Sequence, residues 1–367
     1  MFKRSKSIHE MLSFYTFSAC IFVLYTLSFF EGYSKNGEYV KLLAAYFTLS
    51  FILIFSFYKP IGLGYDDLNY LNGLINPNYG VLYQWEPGYR FLNNILYQMN
   101  LVDFSFLSVS VVGLSMAINI YSIKKFSPLL CLSLIYYLSH LFLFKELTQF
   151  RSAISYSICL LSFYQLFQGK KFQFLALVGV ACLFHKSAII SLLAILANRL
   201  RLRFLFTLLI ASILLSITGV VKSLIMLSAS FVLSDDAYGT YINASSVFAT
   251  SVGLTNPVTL KYIFILLIGY LVYKYNGGDN KFLFTLKIYS LSSIWITFFS
   301  DFGTIAGRPA SIFSSMECIV LAYICYRGNI FSRYVYQIIL FVFSMLILLT
   351  NLLIKESVNF SQIYQML

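Results

Sequence analysis

The stretch Met11-Leu-Ser-Phe-Tyr-Thr-Phe-Ser-Ala-Cys-Ile-Phe-Val-Leu-Tyr-Thr-Leu-Ser-Phe-Phe30 contains no charged residue. About 20 such residues carry a helix across the hydrocarbon core of a bilayer. The charged start MFKRSKSIHE before it resembles that of a signal peptide. No small-residue cleavage site follows, however, and the run has spanning length, so it reads as a first transmembrane helix. The rest of the chain repeats this pattern. Of 367 residues, 59% are hydrophobic and 11% charged, against about 25% charged in a soluble domain. That polar coat is too thin for a water-soluble globular enzyme, and the chain is too apolar to be intrinsically disordered.

Windows of spanning length predict about twelve crossings, near 11–30, 42–58, 104–122, 128–144, 152–168, 172–184, 187–198, 204–221, 258–275, 284–300, 309–326 and 334–354. The pair 172–184 and 187–198 is short and would dip, tilt or thin the bilayer locally. The expected fold is an all-α polytopic membrane protein with 1–367 as one integral membrane domain. Loops 59–103 and 222–257 would carry amphipathic or re-entrant segments on the outer face.

The charge distribution orients these spans. Lys and Arg number 26 against 14 Asp and Glu, a net of +12. The basic residues sit in short runs between apolar stretches, which points to the inner face of a membrane and not to nucleic acid. Lys35/Lys41, Lys124/Lys125, Lys170/Lys171, Arg199/Arg201/Arg203, Lys274/Lys281/Lys287 and Arg327/Arg333 meet only Glu31, Glu38 and Asp279, so these loops are assigned inside. Asp66, Asp67, Glu86, Asp103, Glu146, Asp235, Asp236, Asp301 and Glu356 fall in the other set, assigned outside. Twelve crossings then place Lys3, Arg4 and Lys6 outside, against the same rule. Either an extra crossing or re-entrant segment lies within 59–103, or the short tail breaks the rule.

Cys20, Cys131, Cys159, Cys182, Cys318 and Cys325 all lie in apolar segments with no CxxC pair, so neither disulfides nor a metal site is expected. His9 and His140 stand alone and receive no role.

Five polar segments remain. Gly62-Leu-Gly-Tyr-Asp-Asp-Leu-Asn-Tyr70 places two carboxylates beside aromatics, as an ordinary exposed loop also can. In Gln84-Trp-Glu-Pro-Gly-Tyr-Arg90, Glu86 and Arg90 flank a Pro-Gly turn. Phe91, Ile95, Leu96 and Met99 then share one face of an amphipathic helix lying on the membrane. Arg151, in Lys145-Glu-Leu-Thr-Gln-Phe-Arg151, starts a span from which an arginine can snorkel to the interface. His185-Lys186 lies between two apolar segments, where a turn suffices but an unpartnered pair is costly. Asp301-Phe-Gly-Thr-Ile-Ala-Gly-Arg-Pro309 precedes Glu317, an intramembrane carboxylate that is a functional candidate or half of an ion pair with a neighbouring helix.

The combination weighs more than its parts. Asp66, Asp67, Glu86, Arg90, Arg151, His185, Lys186 and Arg308 map to one side under a topology assigned from other residues. Arg and Lys bind phosphate oxygens, a carboxylate can accept a hydroxyl proton, and Tyr65, Tyr70, Tyr79, Tyr83, Trp85 and Tyr89 offer faces for sugars. That set suits transfer of a glycosyl group from a lipid diphosphate outside the cytoplasm.

The sequence resembles the EpsG-like branch of the Wzy-type polysaccharide (O-antigen and exopolysaccharide) polymerases. The resemblance rests on Gly64-Tyr-Asp-Asp-Leu-Asn-Tyr70, Glu86-Pro-Gly-Tyr-Arg90, Gln149-Phe-Arg-Ser-Ala-Ile154, Leu183-Phe-His-Lys-Ser-Ala-Ile-Ile190 and Gly307-Arg-Pro-Ala-Ser-Ile-Phe313 with Glu317 behind it. These cover about 60–320; the double Asp66-Asp67 and the Lys at 186 depart from the pattern. The resemblance implies a membrane-embedded, metal-independent glycosyltransferase of the bacterial inner membrane, with no cofactor. It would join undecaprenyl-diphosphate-linked oligosaccharide units on the periplasmic face, with the bilayer and a chain-length regulator as partners, in O-antigen (lipopolysaccharide) or exopolysaccharide synthesis. Arg151 and Arg308, helped by His185 or Lys186, are assigned to the diphosphate. Asp66 or Asp67 is the expected general base with Glu86 as rival, and Arg90, Tyr70 and Glu317 are expected substrate contacts. Two other classes stay open: a flippase for the same lipid-linked sugars and a membrane acyltransferase modifying polysaccharide.

Overall fold

The computed structural model describes residues 2–32, 37–62, 64, 66–232, 251–328 and 330–354, and every regular element among these described residues is a helix. Tyr65, Asp235, Asp236 and Glu356 lie outside them. The chain forms two compact units, Met1–Lys186 with Leu321–Leu367, and Ser187–Val320.

The first unit begins with α1 (Phe2–Glu31) and α2 (Gly37–Phe57). Three short helices follow: α3 (Asp67–Ile75), α4 (Tyr79–Leu82) and α5 (Pro87–Gln98). None of these three has spanning length. Pro87 starts α5 because its missing N–H is one the first turn leaves unbonded anyway. Phe91 on α5 and Met99 just after it are exposed, whereas Leu96, read from the sequence onto the same face, turns into the protein beside Tyr89 and Asn93. The Asp103 carboxylate accepts from the Ser105 N–H at 2.7 Å and caps α6 (Phe104–Phe126), which ends on Lys124 and Lys125. That pattern suits the helix dipole at both ends. Next come α7 (Leu130–Tyr136), continued by a π-helix over Tyr137–Glu146, then α8 (Phe150–Phe167) and α9 (Lys171–Phe184).

Residues that the sequence placed on one side meet one another in this unit. Glu38 bonds Lys41 at 2.8 Å and Lys124 at 3.5 Å. Glu31 accepts from the Leu130 N–H, and from the Cys131 N–H at 2.8 Å. Outer-set residues meet likewise around Asp67 and Glu86, described below.

The second unit contains a 3-10 turn (Lys186–Leu192, its first residue still in the first unit), α10 (Leu193–Arg199), α11 (Leu202–Ile217) and α12 (Val220–Val232). It continues with α13 (Pro257–Asn276), α14 (Asn280–Phe298) and α15 (Gly303–Phe313). The unit boundary at Val320 falls inside α16 (Glu317–Arg327), after which α17 (Ile330–Leu349) completes the first unit. Asn256 and Asp279 cap α13 and α14 by accepting N–H bonds from Val258 at 2.9 Å and Phe282 at 2.8 Å.

The expectation of twelve crossings is corrected. Six helical stretches among the described residues are long and apolar enough to span: Ser13–Glu31, Gly37–Phe57, Phe104–Phe126, Pro257–Asn276, Gly303–Arg327 and Ser332–Leu352. A seventh results if α11 and the start of α12, bent by 76°, count together. The protein is therefore a helical, multi-pass membrane protein, and among the described residues its helices of spanning length are fewer than its apolar windows. The physical reason is that an apolar window need not coincide with one long apolar helix. The window over α8 is interrupted by Ser152, Ser155, Ser157 and Ser162, buried along it. The 14 residues of α9 reach about 21 Å at 1.5 Å per residue, short of a hydrocarbon core of about 30 Å.

Candidate active site

The candidate site belongs to the first unit and is built where α5, α8 and the end of α9 converge. α9 stops at His185, whose backbone is extended (φ −156°, ψ 119°) and turns the imidazole toward α5. Gly88 permits the approach: a side chain there would sit 2.8 Å from the Leu183 carbonyl oxygen. Gly73 on α3 leaves similar room for the Trp85 ring, which a methyl group would meet at 2.2 Å.

Glu86, 4% exposed, is the centre. Its Oε2 accepts from Arg151 Nη1 at 2.9 Å. Its Oε1 accepts from the Lys186 N–H at 3.3 Å and faces His185 Nδ1 at 3.3 Å. Burial opposes ionisation of Glu86, but the His185 bond and the Arg151 charge outweigh it and hold the carboxyl at about 2. A carboxylate of that strength is a poor general base and a good clamp.

This clamp sets a pH dependence. A free glutamate titrates near about 4.3, so the stabilisation is fully present above that pH and is lost as pH falls toward about 2. Its size is about 3 kcal/mol at neutral pH. Unfolding of the purified protein followed from pH 7 down to 3 should show wild type converging on Glu86→Gln; a constant gap would refute the clamp.

Arg151 is held from three sides. Glu86 takes Nη1, the Trp85 ring lies 5.5 Å from the guanidinium carbon, and the Tyr70 phenol adjoins it. Its Nε is buried with no partner among the described residues, as is Arg90 Nε. Tyr70, expected to contact substrate, is 3% exposed and stacks on Phe150 at 4.9 Å. Tyr89 and Trp85 are also buried and pack against Tyr70 at 5.6 and 5.9 Å. These rings form a wall behind Arg151 and do not present open faces to a sugar. Tyr79 and Tyr83 stack on each other at 4.4 Å, with Tyr83 exposed.

The two aspartates separate. Asp67 is fully buried: Oδ1 accepts from Lys59 Nζ at 2.8 Å, and Oδ2 accepts from the N–H groups of Gly64 at 2.8 Å and Gly62 at 3.2 Å. Lys59 also donates to the Leu147 carbonyl and lies 4.6 Å from the Phe150 ring. Burial pushes Asp67 up and Lys59 down, and their mutual attraction opposes both shifts. Asp66, half-buried at the start of α3, makes no side-chain cap bond.

The EpsG family model matches residues 41–366. The chain belongs to the EpsG family. No curated protein and no solved structure matches it. The family is associated with polysaccharide polymerisation, and this EpsG-family chain carries the Glu86–Arg151–His185 constellation within the matched region.

Two further expected residues, Arg308 and Glu317, fall in the EpsG chain's second unit. Arg308 is exposed on α15, just before Pro309. Glu317 is fully buried and pairs with Lys261 Nζ of α13 at 2.9 Å. Sequence reasoning missed Lys261, although a lysine inside an apolar span is the same signal that drew attention to Glu317. Lys59 was missed for a different reason: at the end of an apolar run it looks like any interfacial lysine, and its partner is known only once the chain folds. Lys186, expected at the phosphate, is exposed and contributes its backbone N–H to Glu86.

Proposed function

We propose that this EpsG-family protein polymerises polysaccharide by transferring a growing chain from a polyprenyl diphosphate to a lipid-linked repeat unit on the outer face of the membrane. The observation that carries the reading is the Glu86–Arg151–His185 cluster, a buried carboxylate that orients both a phosphate-binding cation and an imidazole. With Nδ1 bonded to Glu86, the neutral tautomer of His185 leaves Nε2 as the acceptor, and that atom is buried without a partner among the described residues.

In the reaction, an acceptor-sugar hydroxyl oxygen forms a bond to the anomeric carbon of the donor. The bond from that carbon to the diphosphate oxygen breaks, and the diphosphate leaves with its electron pair. His185 Nε2 takes the hydroxyl proton. Arg151, through the donors that Glu86 does not occupy, offsets charge developing on the leaving group. Asp66, half-buried beside this wall, is assigned to a sugar hydroxyl, and Arg90 to a second phosphate oxygen. The outward orientation is supported by the basic residues of the opposite loops.

Polymer length in a strain lacking the protein tests the reaction class. A polymerase null leaves one capped repeat unit; a flippase null would leave none, and an acyltransferase null full-length chains. Complementation with His185→Ala should reproduce the single-unit pattern, with assembly reduced about 10²-fold. His185→Ala at wild-type activity and normal protein level would remove the imidazole from the mechanism.

A further inference from the structure

The second unit holds a cavity of about 470 Å³ that the site above does not use. Arg201, Arg203, Lys274 and Lys287 line it with Tyr270, Tyr273 and two leucines, and no carboxylate is among the lining residues. It lies where α11 begins and α13 ends. Lys287 on α14 donates to the Asn198 carbonyl at 3.0 Å, which ties its ammonium to the end of α10 beside the cavity. None of the four cations has a carboxylate partner among the described residues.

All four belong to loops that the sequence assigns inside. Charges that only orient a chain in the membrane can be scattered along loops; they need no shared cavity. Four cationic side chains bordering one hollow raise the positive potential where an anion can sit. Phe204 and Leu208 on α11 and Phe264, Leu267 and Leu271 on α13 are exposed along the same helices. An occupant with an anionic head and an apolar body matches both features.

We propose that this cavity binds the phosphate group of an anionic lipid from the inner leaflet, its acyl chains lying along the exposed apolar faces of α11 and α13. Basic pockets between helices on the cytoplasmic side recognise headgroups through this chemistry, and Arg forks and Lys point charges suit phosphate oxygens.

Native mass spectrometry of the purified full chain, titrated with phosphatidylglycerol and with phosphatidylcholine, tests the assignment. Wild type should bind phosphatidylglycerol at least about tenfold more tightly. The double variant Arg203→Gln/Lys274→Gln should lose about thirtyfold in that affinity, while Arg203→Lys/Lys274→Arg and, in the first unit, Lys124→Gln/Lys125→Gln keep it. Because the charge-retaining variant alters the same positions, its binding separates loss of charge from loss of fold. Equal phosphatidylglycerol binding by wild type and the Gln double variant would overturn the proposal. Millimolar inorganic diphosphate binding in the lipid's place, with no preference between the two lipids, would overturn the lipid as source and assign the phosphate chemistry to a soluble ligand.

Discussion

Arg151→Ala is expected to lower polymer assembly about 10³-fold, the upper range for removing a single preorganised donor from a developing negative charge. Glu86 keeps the Lys186 N–H and His185 as partners in that variant, so the protein should still accumulate, and loss of product reports loss of function. Arg151→Lys restores the charge but not the planar fork that serves Glu86 and a phosphate together. It should recover only part of the activity, about tenfold above Arg151→Ala. The readout is polymer length and amount in a strain lacking the protein, complemented with each variant and corrected for protein level by immunoblot. Long polymer at normal levels from Arg151→Ala would sink the site.

Lys59→Met should destabilise the protein by about 3–5 kcal/mol, because it leaves the Asp67 carboxylate buried without its counter-ion. A typical domain has only about 5–15 kcal/mol in total, so much of the variant should fail to fold. The structural consequence reaches the site. Lys59 ties the end of α2 to Asp67 and to the Leu147 carbonyl, four residues before Arg151. Asp67→Asn added to Lys59→Met removes the unpaired charge while an amide oxygen remains to accept from Gly62 and Gly64, so the double variant should regain most of the stability. Thermal unfolding in detergent measures this cycle. A cost below about 1 kcal/mol for Lys59→Met would place the pair among weak surface contacts.

These two residues show how unevenly the site could be read beforehand. Arg151 and Glu86 are visible in short motifs, yet their pairing spans 65 positions and that of Glu86 with His185 spans 99. Glu86, Asp66 and Asp67 are all simply carboxylates near aromatics in the sequence. Only burial and hydrogen bonding distinguish a clamp, a half-buried carboxylate and a structural ion pair. Tyr70, Trp85 and Tyr89 could have served as sugar platforms or as packing, and their positions beneath Arg151 make them packing.

What the sequence by itself determined is whatever follows from transfer free energy and local period: the membrane class, the helical fold, the turn at Pro87-Gly88 with a helix behind it, and the segregation of basic from acidic loops. Tertiary structure decided how many apolar stretches are of spanning length and which ionisable groups neutralise one another. The reason is that hydropathy reports that a residue avoids water, without saying whether lipid or protein replaces it. A charge likewise reports that a partner is needed, without saying which. Lys59 with Asp67, Lys261 with Glu317 and Arg151 with Glu86 are answers that only the folded path of the chain supplies.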